Sequence, residues 1–152
     1  MTSGKTIGVF AMQYGPGTEN SFGGVAQAYA DSVPVLIQPA GFERHLMNVP
    51  PNFNAFVNYR NIVKWIEQLA APKQVENVFR RAFTQLRNGR PRPVLVEIPW
   101  DVYTEDVPAP SGYRPAPRVR VGPDPDGVRE AARALAAAKR PEIGRASCRE
   151  RV

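Results

Sequence analysis

The chain has 152 residues, room for one ordinary domain and too few for two of typical size. At 43% hydrophobic and 22% charged it can bury a core, which excludes general disorder. The net charge of +6 comes from 20 basic against 14 acidic residues, but the basic ones (Arg80, Arg81, Arg87, Arg90 and Arg92 among them) are scattered, without interleaved stacking aromatics, so nucleic acid is not the expected partner. No apolar run reaches the about 20 residues of a membrane span. The first residues lack the apolar core of a signal peptide, so a cytoplasmic protein without a membrane partner is expected. One cysteine and one histidine allow neither an internal disulfide nor a good zinc site, and no metal ligand is expected.

Along the chain, Gly8 to Gln13 reads as a buried strand, followed by the turn Tyr14-Gly-Pro-Gly17. Thr18-Glu19-Asn20 then opens a helix to about Asp31, rich in small residues. Pro34 to Ile37 is a short apolar strand of the kind covered on both faces. Gln38 to Arg60, with Pro39, Pro50, Pro51 and asparagines at 48, 52, 54 and 58, reads as a long loop with a helical turn near Ala55. Ile62 to Ile66 is a strand. Lys73 to Leu86 is the clearest helix, its Val75, Val78, Phe79, Ala82, Phe83 and Leu86 recurring at helical spacing before Asn88-Gly89 stops it. Val94 to Ile98 is a strand between prolines. Six prolines between 108 and 125 mark a linker, and Asp124 caps a helix from Pro125 to Lys139.

Strands and helices in alternation predict an α/β fold, a parallel sheet flanked by helices with right-handed crossovers. The Gly15-Pro-Gly17 turn between a strand and a helix has the shape of an anion cradle or of plain structural punctuation. It is no dinucleotide fingerprint, because the G-x-G-x-x-G spacing ends at Asn20, and no P-loop, because no Gly-Lys-Ser/Thr follows.

Taken in order, Gly8-Val9, Gly15-Pro-Gly-x-x-Asn20, Ala30-Asp-Ser-Val-Pro34 and Gly89-Arg-Pro-x-Pro-Val-Leu-Val-Glu-Ile-Pro99 resemble the thiamine-diphosphate-dependent enzyme family. The likeness is greatest to the pyrimidine-binding domain of the acetolactate synthase group. It assigns residues 1–102 to a partial pyrimidine-binding domain, 103–123 to a Pro-rich linker and 124–141 to the start of a central α/β domain. It implies thiamine diphosphate as cofactor, with magnesium held outside this chain and FAD possible, and a small 2-oxo acid as substrate. In the complete protein it implies a homodimer or homotetramer sharing its active site. The implied reaction is pyruvate decarboxylation with carbon–carbon bond formation. Alternatives are another decarboxylase or carboligase of the superfamily, or a non-catalytic α/β binding module.

By the same resemblance, Gly15, Pro16, Gly17 and Asn20 match the loop beside the aminopyrimidine, although Asn20 can equally serve local backbone groups. Phe53 and Asn54 align with a Phe-Gln pair on the substrate side of the cofactor. Lys64 matches a lysine of a Thr-Lys pattern, or else snorkels from an edge strand. Asp31 ends a helix and His45 is exposed. The family's activating glutamate falls upstream of Gly8, at a place that neither Glu19 nor Glu43 occupies, and no Gly-Asp-Gly diphosphate motif is present. The chain alone is therefore expected to be inactive and, with strands built for burial left uncovered, to self-associate.

Both ends look foreign to this pattern. The first strand begins abruptly, which suggests truncation. Residues 142–152 fit nothing before them, and codons for Ile143 to Val152 can be chosen that spell a common sequencing-library adapter read in frame. Without that stretch the chain carries 17 basic and 12 acidic residues, a net +5, and loses Cys148.

Overall fold

The structure, a computed structural model, describes residues 6–107, 113–114, 117–119 and 121–142. Apart from Glu142, the suspected foreign tail lies outside the described residues, as do parts of the Pro-rich linker. Four parallel strands, β1 (Gly8–Met12), β2 (Val35–Gly41), β3 (Trp65–Gln68) and β4 (Val94–Pro99), form one sheet in the order β1-β2-β4-β3. α1 (Pro16–Ala30) joins β1 to β2, the short α2 (Ala55–Asn58) lies between β2 and β3, and α3 (Val75–Arg87) joins β3 to β4. The chain divides into two compact units, one ending at Val119 and the other starting at Arg120. The second holds α4 (Pro125–Ala137), capped by the Asp124 carboxylate, which accepts from the N–H groups of Asp126 and Gly127. Among the described residues no helix is long and apolar enough to cross a membrane.

The period of two along each strand sorts the core onto the two faces of the sheet. Leu36, Val94, Val96 and Ile98 pack with Val78, Ala82 and Leu86 of α3. Ile37 and Leu95 point the other way and pack with Val25 of α1, Ala55 and Tyr59. Every residue of β4 is buried, which a central strand between two helical layers requires. The 3.6-residue period of α3 appears in its three buried positions, 78, 82 and 86.

Several boundaries differ from the sequence expectations, α3 starting at Val75 and α4 ending at Ala137 among them, and three have a plain physical reason. β2 does not stop at Ile37 but runs through Pro39 to Gly41. Pro39 has no N–H to give, and the register against β4 passes from Ile37↔Leu95 to Ala40↔Ile98 without changing offset. β3 starts at Trp65 instead of Ile62, because the turn Tyr59–Asn61 carries on into Ile62, whose N–H bonds the Tyr59 carbonyl. α1 starts at Pro16, two residues early, since a proline at the first helical position loses no hydrogen bond. β1 differs in exposure instead: it is an edge strand, with Val9 61% and Phe10 44% exposed, and not a buried one.

Candidate functional site

All four strands point their carboxyl ends the same way, and in open α/β sheets that rim is where ligands bind. The Gly15-Pro16-Gly17 turn leaves β1 there. Gly15 has φ +60°, ψ −121°, a conformation open to glycine alone, and a Cβ on Gly17 would lie 3.1 Å from that of Gln13. Buried Thr18 ties the turn down by donating its hydroxyl to the Gln13 carbonyl at 2.8 Å. The Tyr59 hydroxyl donates in turn to the Thr18 carbonyl, so α1 and the segment around α2 are held together behind the turn. A Cβ on Gly15 would lie 3.9 Å from the ring tip of Phe42, the residue that follows β2.

Asn20 lies one turn further along α1, exposed, and its side chain makes no hydrogen bond to any described residue. It therefore does not serve local backbone groups. It borders a groove of about 290 Å³ between α1 and the outer strands, with Phe10, Ser21, Gly24 and Ile37 among its walls. A second, open groove of about 380 Å³ runs past Met12, Gln13, Tyr14, Gln38, Trp100 and Tyr103. The Tyr14 ring joins the two sides of the rim, 4.9 Å from Phe42 and 6.4 Å from Trp100.

Phe53 and Asn54 sit at the same rim, in front of β3 and β4. The Asn54 side chain caps α2, accepting from the Val57 N–H at 2.9 Å, and donates to the Asn48 side-chain carbonyl. Phe53 stands edge-on to Tyr59, 6.4 Å between centroids. These residues line a small cavity together with Phe42, Met47, Asn48, Gln68 and Glu97. Phe42 is thus shared: one end approaches Gly15, and its ring also lines the cavity of Phe53 and Asn54.

Glu97 is the residue that sequence reasoning missed. It is 5% exposed in the middle of β4, on the face of Leu95, and accepts from Gln68 Nε2 at 2.5 Å. Burial raises its pKa above the ordinary 4.5, opposed by the Gln68 hydrogen bond. Gly41 makes room for it, since a Cβ there would lie 3.0 Å from Glu97 Cγ and 3.3 Å from its Oε1. The signal was present in the sequence, a lone acid inside an otherwise apolar run that reads as a central strand.

Lys64 stands apart from this rim. It precedes β3 at the amino end of the sheet, and its ammonium donates to the carbonyls of Gln85, at 2.7 Å, and Asn88. There it closes the carboxyl end of α3, favoured by the helix dipole. Burial, with the charge of Arg92, lowers its pKa. Asp31 is the residue at which α1 ends, and His45 is exposed in the loop after β2. Among the described residues no three His, Cys, Asp or Glu side chains gather into a metal site.

Comparison with known proteins gives this rim a context. Residues 1–50 match the family model described as thiamine pyrophosphate enzyme, N-terminal TPP binding domain. Over 148 residues the chain is 32% identical to the probable acetolactate synthase large subunit of Methanocaldococcus jannaschii, covering 90% of this chain and 24% of the relative. It is also 32% identical over 152 residues to a probable 2-ketoarginine decarboxylase of Pseudomonas aeruginosa, covering 93% and 26%. Among solved structures, benzoylformate decarboxylase from Polynucleobacter necessarius superposes with TM-score 0.75 at 29% identity, over 86% of this chain and 25% of that one. The chain thus spans about a quarter of the length of these relatives.

Proposed function

Because the chain belongs to the thiamine pyrophosphate enzymes, through their N-terminal binding domain, we propose that this rim holds the aminopyrimidine end of thiamine diphosphate in a protein that decarboxylates a 2-oxo acid and joins the product to a second one, as acetolactate synthases do. The observation that carries the reading is the Gly15-Pro16-Gly17 turn. It sits at the carboxyl end of β1, has φ +60° at Gly15, and lies against Phe42 inside the region the family model matches.

The residues present fit the uncharged end of the cofactor. Two glycines allow close backbone approach, Phe42 and Tyr14 offer ring surface, and the unspent Asn20 amide can both donate to and accept from an aminopyrimidine. Among the described residues no Lys or Arg lines the two grooves or the Phe53–Asn54 cavity, so the diphosphate, its magnesium and any flavin are assigned to other parts of the complete protein. When bound, the cofactor supplies the electron sink for decarboxylation. On the substrate side Phe53 presents an apolar wall. Asn54 has already spent its carbonyl on Val57 and one N–H on Asn48, and its second N–H can orient a 2-oxo acid carboxylate. The uncovered β1 edge and α1 groove are consistent with a dimer or tetramer that shares the site between subunits.

A second reading, decarboxylation without carboligation, is favoured by the 2-ketoarginine decarboxylase relative and the benzoylformate decarboxylase neighbour. The test is expression of the full reading frame that encodes this chain, assayed with pyruvate and other 2-oxo acids. Acetolactate formed only with thiamine diphosphate supports the first reading, and weaker cofactor binding in Asn20→Ala supports the placement. Aldehyde without acetolactate moves the assignment to the second. No cofactor-dependent consumption of any 2-oxo acid overturns both and leaves a non-catalytic binding module.

A further inference from the structure

The cavity beside Phe53 and Asn54 carries a function for Glu97. Its volume is about 10 Å³, about what one water requires when two to four polar groups surround it. Four polar side chains line it: Asn48, Asn54, Gln68 and Glu97. Their hydrogen bonds form two chains that stop short of each other. From the sheet, Gln68 Nε2 donates to Glu97 Oε2, leaving Oε1 with no bond to a described residue. From the loop, the Val57 N–H donates to Asn54 Oδ1, and Asn54 Nδ2 donates to Asn48 Oδ1, leaving Asn48 Nδ2 with no acceptor among the described residues. Glu97 and Asn48, each with an unspent polar atom, therefore line one water-sized space. Asn48 is held there by a left-handed backbone, φ +63°, which asparagine tolerates better than most residues.

We propose that this cavity is a built water site through which Glu97 positions Asn54: one water accepts from Asn48 Nδ2 and donates to Glu97 Oε1, fastening the substrate-side loop to the ends of β3 and β4. The bridge makes Glu97 a positioning residue, acting on substrate only through Asn48 and Asn54. Among the described residues no other ionisable side chain lines the cavity, so the state of Glu97 sets the bridge's polarity. Its raised pKa accords with this, because a protonated Glu97 still offers an acceptor or a donor to a water. The role in substrate binding rests on the function proposed above, whereas the water site itself does not.

Two measurements on the complete protein separate them. A high-resolution crystal structure is expected to show one ordered water within 3.2 Å of both Glu97 Oε1 and Asn48 Nδ2. A dry cavity, or Asn48 turned away from it, overturns the water site whatever the enzyme does. In kinetics, Glu97→Ala and Asn48→Ala are each expected to raise KM for the 2-oxo acid by about tenfold with kcat within about twofold, the loss of a uniform binding contribution. The double variant should be no worse than either single one, and Glu97→Gln should restore KM. Additive losses, an equal fall in kcat, or failure of the Gln variant to rescue would overturn the positioning role. A protein that turns over no 2-oxo acid but shows the water refutes the proposed function and the positioning of substrate, and leaves the water site in place.

Discussion

At the scale of single residues, what a side chain does here follows from whether its polar atoms are already spent. Lys64 has its ammonium on two backbone carbonyls, whereas Asn20 has spent nothing. Glu97 is the most consequential of the three because burial opposes its charge. Its folded-state pKa lies above the ordinary 4.5, so folding favours the protonated acid. The stability this gives is complete below the ordinary glutamate range and is lost as pH rises through the raised folded value. Glu97→Gln removes the titration and keeps the shape. The variant should gain in Tm relative to the parent as pH rises from 4 to 8, and parallel Tm profiles across that range would show that Glu97 ionises without cost.

At the scale of elements, the readable parts were those whose pattern is decided locally. α3 declares itself by its apolar spacing and its Asn88-Gly89 stop, and β4 by an apolar run between prolines. The boundaries that escaped were decided by partners. Pro39 reads as a break, yet β2 continues because its neighbours hold the register on both sides. Ile62 and Val63 read as strand, but a turn from Tyr59 claims the first and the core the second. Of the candidate site, the Gly15 to Gly17 turn was legible as a turn because its backbone chemistry marks it, whereas Glu97 was not, since its surroundings come from the loop of Asn48 and Asn54, far away in sequence. Lys64 gives the test at this scale. Lys64→Met keeps an apolar stem but leaves the Gln85 and Asn88 carbonyls without their donor. A loss of about 1–2 kcal/mol is expected, with faster amide exchange confined to the last turn of α3. Unchanged stability would mean that water serves those carbonyls equally well.

At the largest scale, the sheet is buried at its centre and bare along its β1 edge. β4 is buried throughout, while β1 leaves Val9 and Phe10 in solvent beside the apolar groove along α1. Half exposed, each such side chain forgoes about half of the roughly 1.5–3 kcal/mol that full burial gives, a sizeable part of a domain's marginal stability when several add up. An open parallel edge also invites other chains. The 152-residue chain should therefore sediment as self-associated species, and a sharp monomer with cooperative thermal unfolding would show that its core is sufficient as it stands.

The close approach of Gly41 to Glu97 also limits the order in which this sequence can change. With Glu97 in place, a methyl group at position 41 meets its side chain at 3.0 Å, so alanine fits only if that side chain gives by a few tenths of an ångström. With a smaller residue at 97, the same alanine fits. Shrinking position 97 first therefore opens the way for position 41 to grow, whereas the reverse route passes through a more tightly packed intermediate. A library that varies the two sites together should accept larger residues at position 41 more readily than one that varies position 41 alone, at the cost of the acid.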